Sequence, residues 1–124
     1  MLKLKRIYEA PADSDGYRVL VDHLWPRGLS KEKAHVDLWM KEIGPSDRLR
    51  KWFGHDPKRW SGFRERYWKE LKSQPELVSQ LKQVLKEHRS MTLLFGAKDE
   101  EHNQAVALWD FLQKRGRATF RAHS

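Results

Sequence analysis

No cysteine occurs among the 124 residues, which excludes disulfides, cysteine-based zinc sites and a thiol nucleophile together. A chain of this kind suits a reducing compartment, and a cytoplasmic location is expected. No apolar run approaches the roughly 20 residues that span a bilayer. The N-terminal Met1-Leu-Lys-Leu-Lys-Arg-Ile-Tyr8 alternates charge with apolar residues and lacks the apolar run of a signal peptide, so no membrane partner is expected. Also missing are a glycine-rich phosphate loop, a GxSxG elbow, an HExxH word and a recognisable triad. The six histidines (23, 35, 55, 88, 102 and 123) have no metal-ligand spacing. Neither a metal nor a cofactor is expected. With no repeat, linker or low-complexity tract, the chain reads as a single α/β domain over residues 1–124. At this size about two thirds of the unfolded surface can be buried, enough for one core without staples.

What the chain does have is positive charge. Lys and Arg number 25 against 17 Asp and Glu, a net +8. Residues 46–72 hold nine Lys/Arg against four Asp/Glu, and residues 113–124 hold four against none. Such localised charge attracts nucleic acid, acidic surfaces or phosphorylated ligands. The alternative is a solvated face that keeps the protein in solution.

Residues 2–8 alternate like a strand, residues 11–16 form a turn cluster, and Tyr17-Arg-Val-Leu-Val21 reads as a second strand. Leu49, Trp52 and Phe53 are spaced for a helix behind a Ser46 N-cap. Trp60, Phe63, Tyr67 and Leu71 give another. Ser73-Gln-Pro-Glu76 is a capping-box pattern opening a third on Leu77, Leu81, Val84 and Leu85. Met91-Thr-Leu-Leu-Phe95 suits a central strand. Ala105, Leu108, Trp109 and Leu112 mark a last helix, expected to stop at Gly116 before a short strand at 118–120. The expectation is a small, mostly parallel sheet of about four strands with about five helices. Residues 17–22 and 91–96 should be adjacent and parallel. The first two strands, if neighbours, would be antiparallel and leave one irregular edge.

Ligands of open α/β sheets bind outside the carboxyl ends of the strands, and two such ends are polar here. One is Asp22-His-Leu-Trp-Pro-Arg-Gly28, in which Pro26 and Gly28 fix a turn around Arg27. The other is Ala97-Lys-Asp-Glu-Glu-His-Asn103. If the strands are neighbours, Asp22, His23, Arg27, Lys98, Asp99, His102 and Asn103 face one crevice. They would supply a bidentate donor, a point charge, a carboxylate and two imidazoles. Asp22 and His102 are the candidate catalytic groups. His23, Trp25, Arg27, Lys98, Asp99, Asn103 and His55 are the candidate ligand contacts, with Asp22 orienting Arg27. Structural roles compete with each assignment: Asp99 as N-cap of the last helix, His23 and His102 as ordinary hydrogen-bonded histidines, and Asp22 paired with Arg27. Capping also accounts for most of Trp52-Phe-Gly-His-Asp-Pro57.

The stretches Gly16-Tyr-Arg-Val-Leu-Val-Asp-His-Leu-Trp-Pro-Arg-Gly-Leu29, Leu49-Arg-Lys-Trp-Phe-Gly-His-Asp-Pro57 and Ala97-Lys-Asp with His102-Asn-Gln-Ala105 resemble the YeaO-like family of uncharacterised bacterial proteins. The resemblance covers nearly the whole chain and implies a compact cytoplasmic α/β domain, with no activity attached. That family more often has Arg where His23 stands. Its wider superfamily often carries a Cys-His-Arg word where this chain reads Glu101-His-Asn-Gln104, so thiol chemistry does not carry over.

Three functions remain open. The first is a site for an anionic or nucleotide-like small molecule, with or without enzymatic turnover. The second is a nucleic-acid-binding module on the basic segment with Trp52, Phe53, Trp60, Tyr67 and Trp68 interleaved, although at least four of these fall at core spacing. The third is a protein-interaction domain. Sequence leaves the oligomeric state open.

Overall fold

The structure, a computed structural model, describes the backbone of residues 1–123 and the side chains of residues 1–113. Four strands form one sheet: β1 (Leu2–Arg6), β2 (Tyr17–Leu20), β3 (Leu38–Trp39) and β4 (Met91–Phe95). Their order is β1-β4-β2-β3 and every pair is parallel. The helices are α1 (Lys31–Ala34), α2 (Asp47–Phe53), α3 (Trp60–Lys72), α4 (Pro75–Glu87) and α5 (Gln104–His123). This is the small α/β fold expected, with β4 central and all five of its residues buried.

Period-2 alternation sorts the strands onto two faces. Val19, Val21, Met91, Leu93 and Phe95 join the larger core with Phe53, Phe63, Tyr67, Leu81, Leu108 and Phe111 from the long helices. Leu20 and Leu94 point the other way and meet Ile7, Ala34, Trp25 and Trp39. The second face is only partly apolar. Lys3, Thr92 and Arg18 lie in one row across it. The connection from β1 to β2 covers that row where a helix would normally lie. Lys3 donates to the Ser14 carbonyl, and Lys5 donates to the Ala10 carbonyl at 2.7 Å and to Asp15 at 3.1 Å. Arg18, 4 % exposed, donates to Asp15 and to the carbonyls of His35 and Ala34. Thr92 Oγ1 donates to the Asp15 carbonyl at 2.6 Å.

Gly16 ends this loop at φ +66, and a Cβ there would lie 2.3 Å from the Ser90 carbonyl oxygen. A side chain at this backbone conformation costs about 1–3 kcal/mol even without a clash. Gly16→Ala should therefore lower the urea midpoint by at least that equivalent, with the denaturant slope unchanged. An unaltered midpoint would mean that the loop is not held as described.

Several expectations are corrected. No strand pair is antiparallel, because β4 separates β1 from β2 and removes the irregular edge. The fourth strand is β3, whose two residues are too few to leave a periodic signal. Residues 118–120 are helical, since α5 continues through Gly116. One interior glycine costs only about 1 kcal/mol, too little to stop a helix anchored by Ala105, Leu108 and Leu112. The capping box at Ser73 is absent: Ser73 Oγ donates to the Glu70 carbonyl at 2.6 Å and closes α3. With α4 beginning at Pro75, its N-cap is Gln74, which makes no side-chain cap bond. The Ser46 cap of α2 is present, with Oγ accepting from the Leu49 N–H at 3.2 Å.

Candidate functional site: a cleft at the carboxyl ends of two parallel strands

After β2 the chain turns toward α1, which packs on the smaller face through Ala34. After β4 it turns into α5, which packs on the larger face through Ala105 and Leu108. Adjacent strands whose exits diverge to opposite faces leave an opening between them. A cleft of about 430 Å³ occupies that place, and Asp22, His23, Trp25, Arg27, Arg50, His55 and Gln104 are among the residues lining it.

Asp22 sits at the base of the cleft, just beyond β2. One carboxylate oxygen accepts the Gly96 N–H at 2.8 Å, the other accepts from Gln104 Nε2, and Trp39 Nε1 donates to its carbonyl at 2.8 Å. Burial raises its pKa to about 6, against the lowering pull of the Gly96 N–H, the Gln104 amide and the nearby His55. A carboxyl titrating near 6 exchanges protons close to neutral pH, as acid–base groups do.

Arg27 is exposed on the turn above. That turn is held from both sides: Tyr8 Oη donates to the Arg27 carbonyl at 2.9 Å, and Trp25 Nε1 donates to the Leu29 carbonyl at 2.7 Å. Tyr8 is itself covered by the Arg6 guanidinium, 4.7 Å from its ring centre. Arg6 in turn donates to the carbonyls of Gly96 and Ala97. The backbone of Arg27 is thus tied to the exit of β4, while its guanidinium makes no ion pair or hydrogen bond among the described residues. His55 follows Gly54 with both in the left-handed region, at φ 56 and 52, a conformation uncommon outside glycine.

The structure divides the candidates named from sequence. Asp22, His23, Trp25, Arg27 and His55 come together in the cleft lining, and Lys98, Asp99, His102 and Asn103 do not. Asp22 is paired with the Gly96 amide and Gln104, so it neither neutralises nor orients Arg27. Asp99 caps a turn before the helix, accepting the N–H groups of Glu101 and His102 and meeting His102 Nδ1 at 2.9 Å. The Glu101 N–H, followed by His102, holds its carboxyl below the usual range. The N-cap of α5 is instead Asn103, whose Oδ1 accepts the Val106 N–H at 3.0 Å and whose Nδ2 donates to the Asp99 carbonyl at 2.9 Å. His102 therefore lies before the helix rather than in its first turn, with its ring edge-on to Trp60 at 5.4 Å. Lys98 is exposed. Among the described residues no group of three or more His, Asp or Glu side chains gathers as a metal site would.

Sequence reasoning missed Arg50 and Gln104. Arg50 donates to Asp47, while its buried Nε has no hydrogen-bond partner. Its signal lay in the Leu49-Arg-Lys-Trp-Phe-Gly-His stretch, as a cation flanking the apolar Leu49 and Phe53. Gln104 carried no site signal in the sequence, because the expected start of the last helix was at Asp99, about one turn earlier.

The relatives agree with the extent of the fold. The family model DUF488-N3i, described as the inactive DUF488-N3 subclade, matches residues 1–122. The uncharacterized protein YeaO of Escherichia coli (strain K12) is 41% identical over 112 residues, covering 90% of this chain and 96% of YeaO. The uncharacterized protein Rv3073c of Mycobacterium tuberculosis (strain ATCC 25618 / H37Rv) is 43% identical over 70 residues, covering 56% of this chain and 59% of its own. No solved structure matches significantly. The chain belongs to the DUF488-N3i family, the inactive DUF488-N3 subclade, with YeaO among its relatives.

Proposed function

We propose that this domain binds a small anionic or nucleotide-like molecule in the cleft between the ends of β2 and β4. The observation that carries the reading is the lining: two guanidiniums, Arg27 and Arg50, and two imidazoles, His23 and His55, stand around a single half-buried carboxyl, Asp22. Arg27 is prepared for this role because its turn is fixed and its fork is unpaired, so little freedom is lost when it grips an anion. Asp22, neutral below its pKa of about 6, cancels none of this positive charge in acid. The family description as inactive supports binding without turnover. Were a reaction to occur here, Asp22 is the group placed to move a proton, because His102 lies outside the lining.

Calorimetric titration with inorganic phosphate and with a nucleoside monophosphate, at pH 6 and low salt, tests the reading. Arg27→Ala should weaken binding by about 1.5–3 kcal/mol, the worth of charge-assisted hydrogen bonds, or roughly 10- to 150-fold. Arg27→Lys should restore part of it. Wild-type protein that binds neither probe, or binds both equally well as Arg27→Ala, would refute the proposal.

A further inference from the structure

We propose that the outer face of α2 and α3 around Trp52 binds the backbone of a nucleic acid, independently of the cleft. Trp52 is half-buried, and its ring is seated so closely on α3 that a Cβ at Gly62 would lie 2.8 Å from ring atom Cη2. A glycine inside a helix is unfavourable, so its presence here serves that close seat. Two guanidiniums lie over the ring, Arg66 at 3.9 Å and Arg59 at 5.4 Å from its centre. The two cations are therefore within about 9 Å of each other, inside a Debye length of about 10 Å at 0.1 M salt.

The fold leaves Arg66 without a counter-charge and Arg59 only loosely paired. Arg66 has no carboxylate or hydrogen-bond partner among the described residues, while Arg59 donates to the Trp52 carbonyl and meets Asp56 at 4.0 Å. Elsewhere the protein does supply partners: Arg64, on the same helix, meets Asp110 at 2.6 Å. Two acids of this segment are engaged away from Trp52, Asp47 with Arg50 and Glu70 with the Ser46 N–H and hydroxyl. Arg48, Lys51, Lys58 and Lys69 extend the patch and are all exposed. Seated against the indole, the Arg66 guanidinium keeps its N–H donors unpaired among the described residues, and such a fork suits phosphate oxygens.

From Arg59 to Lys69 the row is about 15 Å long at helical rise, and a strand presents a charge about every 3.4 Å of axis. Roughly four phosphates can be met together. A regular, closely spaced array of anions relieves the crowding of these cations better than the scattered carboxylates of a protein surface. The contacts are to phosphates, so recognition is independent of base sequence.

Fluorescence anisotropy with a labelled 20-mer, as single-stranded and as duplex DNA, between 20 and 200 mM NaCl, is the test. Four contacts predict a log–log salt slope of about −3 on the single strand and about −4 on the duplex. Arg59→Ala with Arg66→Ala should weaken binding at least tenfold and flatten the slope by about 2. Lys31→Ala with Lys33→Ala removes the same charge from α1 and should leave binding as in the wild type, provided both doubles give native circular dichroism. No binding at 20 mM, an unaffected Arg59/Arg66 double, or equal loss from the Lys31/Lys33 double would each overturn the proposal. Displacement of the oligonucleotide by polyglutamate at equal charge would overturn it in favour of an acidic-protein dock.

Discussion

Asp22→Asn should make the protein more stable above pH 6 by about 2–3 kcal/mol, and no more stable than wild type near pH 4. The Asp22 carboxyl titrates at about 6 in the fold against an ordinary 3.8, and each unit of difference is worth 1.36 kcal/mol. Because the folded pKa is the higher one, the native state binds the proton more tightly than the unfolded chain. The stabilisation from this group is complete below about pH 4 and is lost as the pH rises through 6. Asparagine avoids the buried charge while still accepting the Gly96 N–H, and Gln104 can turn its amide to match. Urea denaturation of both proteins at pH 4, 5, 6, 7 and 8 reads the difference directly. A pH-independent difference would mean that Asp22 is not held in a desolvating site.

The larger effect should come from the opposite end of the sheet. Asp15→Ala removes the carboxylate from a buried arginine, Arg18, and should cost about 3–5 kcal/mol, as breaking buried ion pairs does. Asp15→Ala combined with Arg18→Met should cost less than the single change, because no unpaired charge is then left inside. Chemical denaturation of the two variants separates these outcomes, and a double variant no better than the single would contradict the account. Burial alone would raise the pKa of Asp15, but the Ala12 N–H, Lys5 and Arg18 together lower it below 3.8. Its contribution is therefore present above about pH 4 and lost on acidification through that lowered value, the reverse of Asp22. From these two groups alone, stability should be greatest near pH 4 and decline on either side.

How much of this was legible in the chain follows from where the information lies. The apolar run 91–95 announced a buried central strand, and the i, i+3, i+4 spacing of Leu49, Trp52 and Phe53 announced a helix, because both signals are local. The order of strands is not local. Nothing within residues 2–21 says that β4, some seventy residues later, inserts between β1 and β2. A helixless return was read as an antiparallel neighbour for that reason. Alternation over residues 2–8 announced a strand but not that Lys3 and Lys5 hold the returning loop. At the cleft, four of the eight candidates named at the strand ends, Asp22, His23, Trp25 and Arg27, fall in the lining. The other half failed on a matter of one helical turn: α5 begins at Gln104, so Gln104 reaches Asp22 while Asp99 and His102 occupy a preceding turn. Arg50 could not be placed at all, since only the packing of α2 brings it to the cleft.

The central claim is that the cleft between β2 and β4 holds a small anion, and crystals grown with inorganic phosphate, or soaked with a nucleoside monophosphate, at pH 6 test it most directly. The predicted result is an anionic group within about 2.7–3.2 Å of the guanidinium nitrogens of both Arg27 and Arg50, with Asp22 still bonded to the Gly96 N–H. A cleft that stays empty at ligand concentrations that saturate the protein in solution, or an anion seated elsewhere on the molecule, would contradict the account.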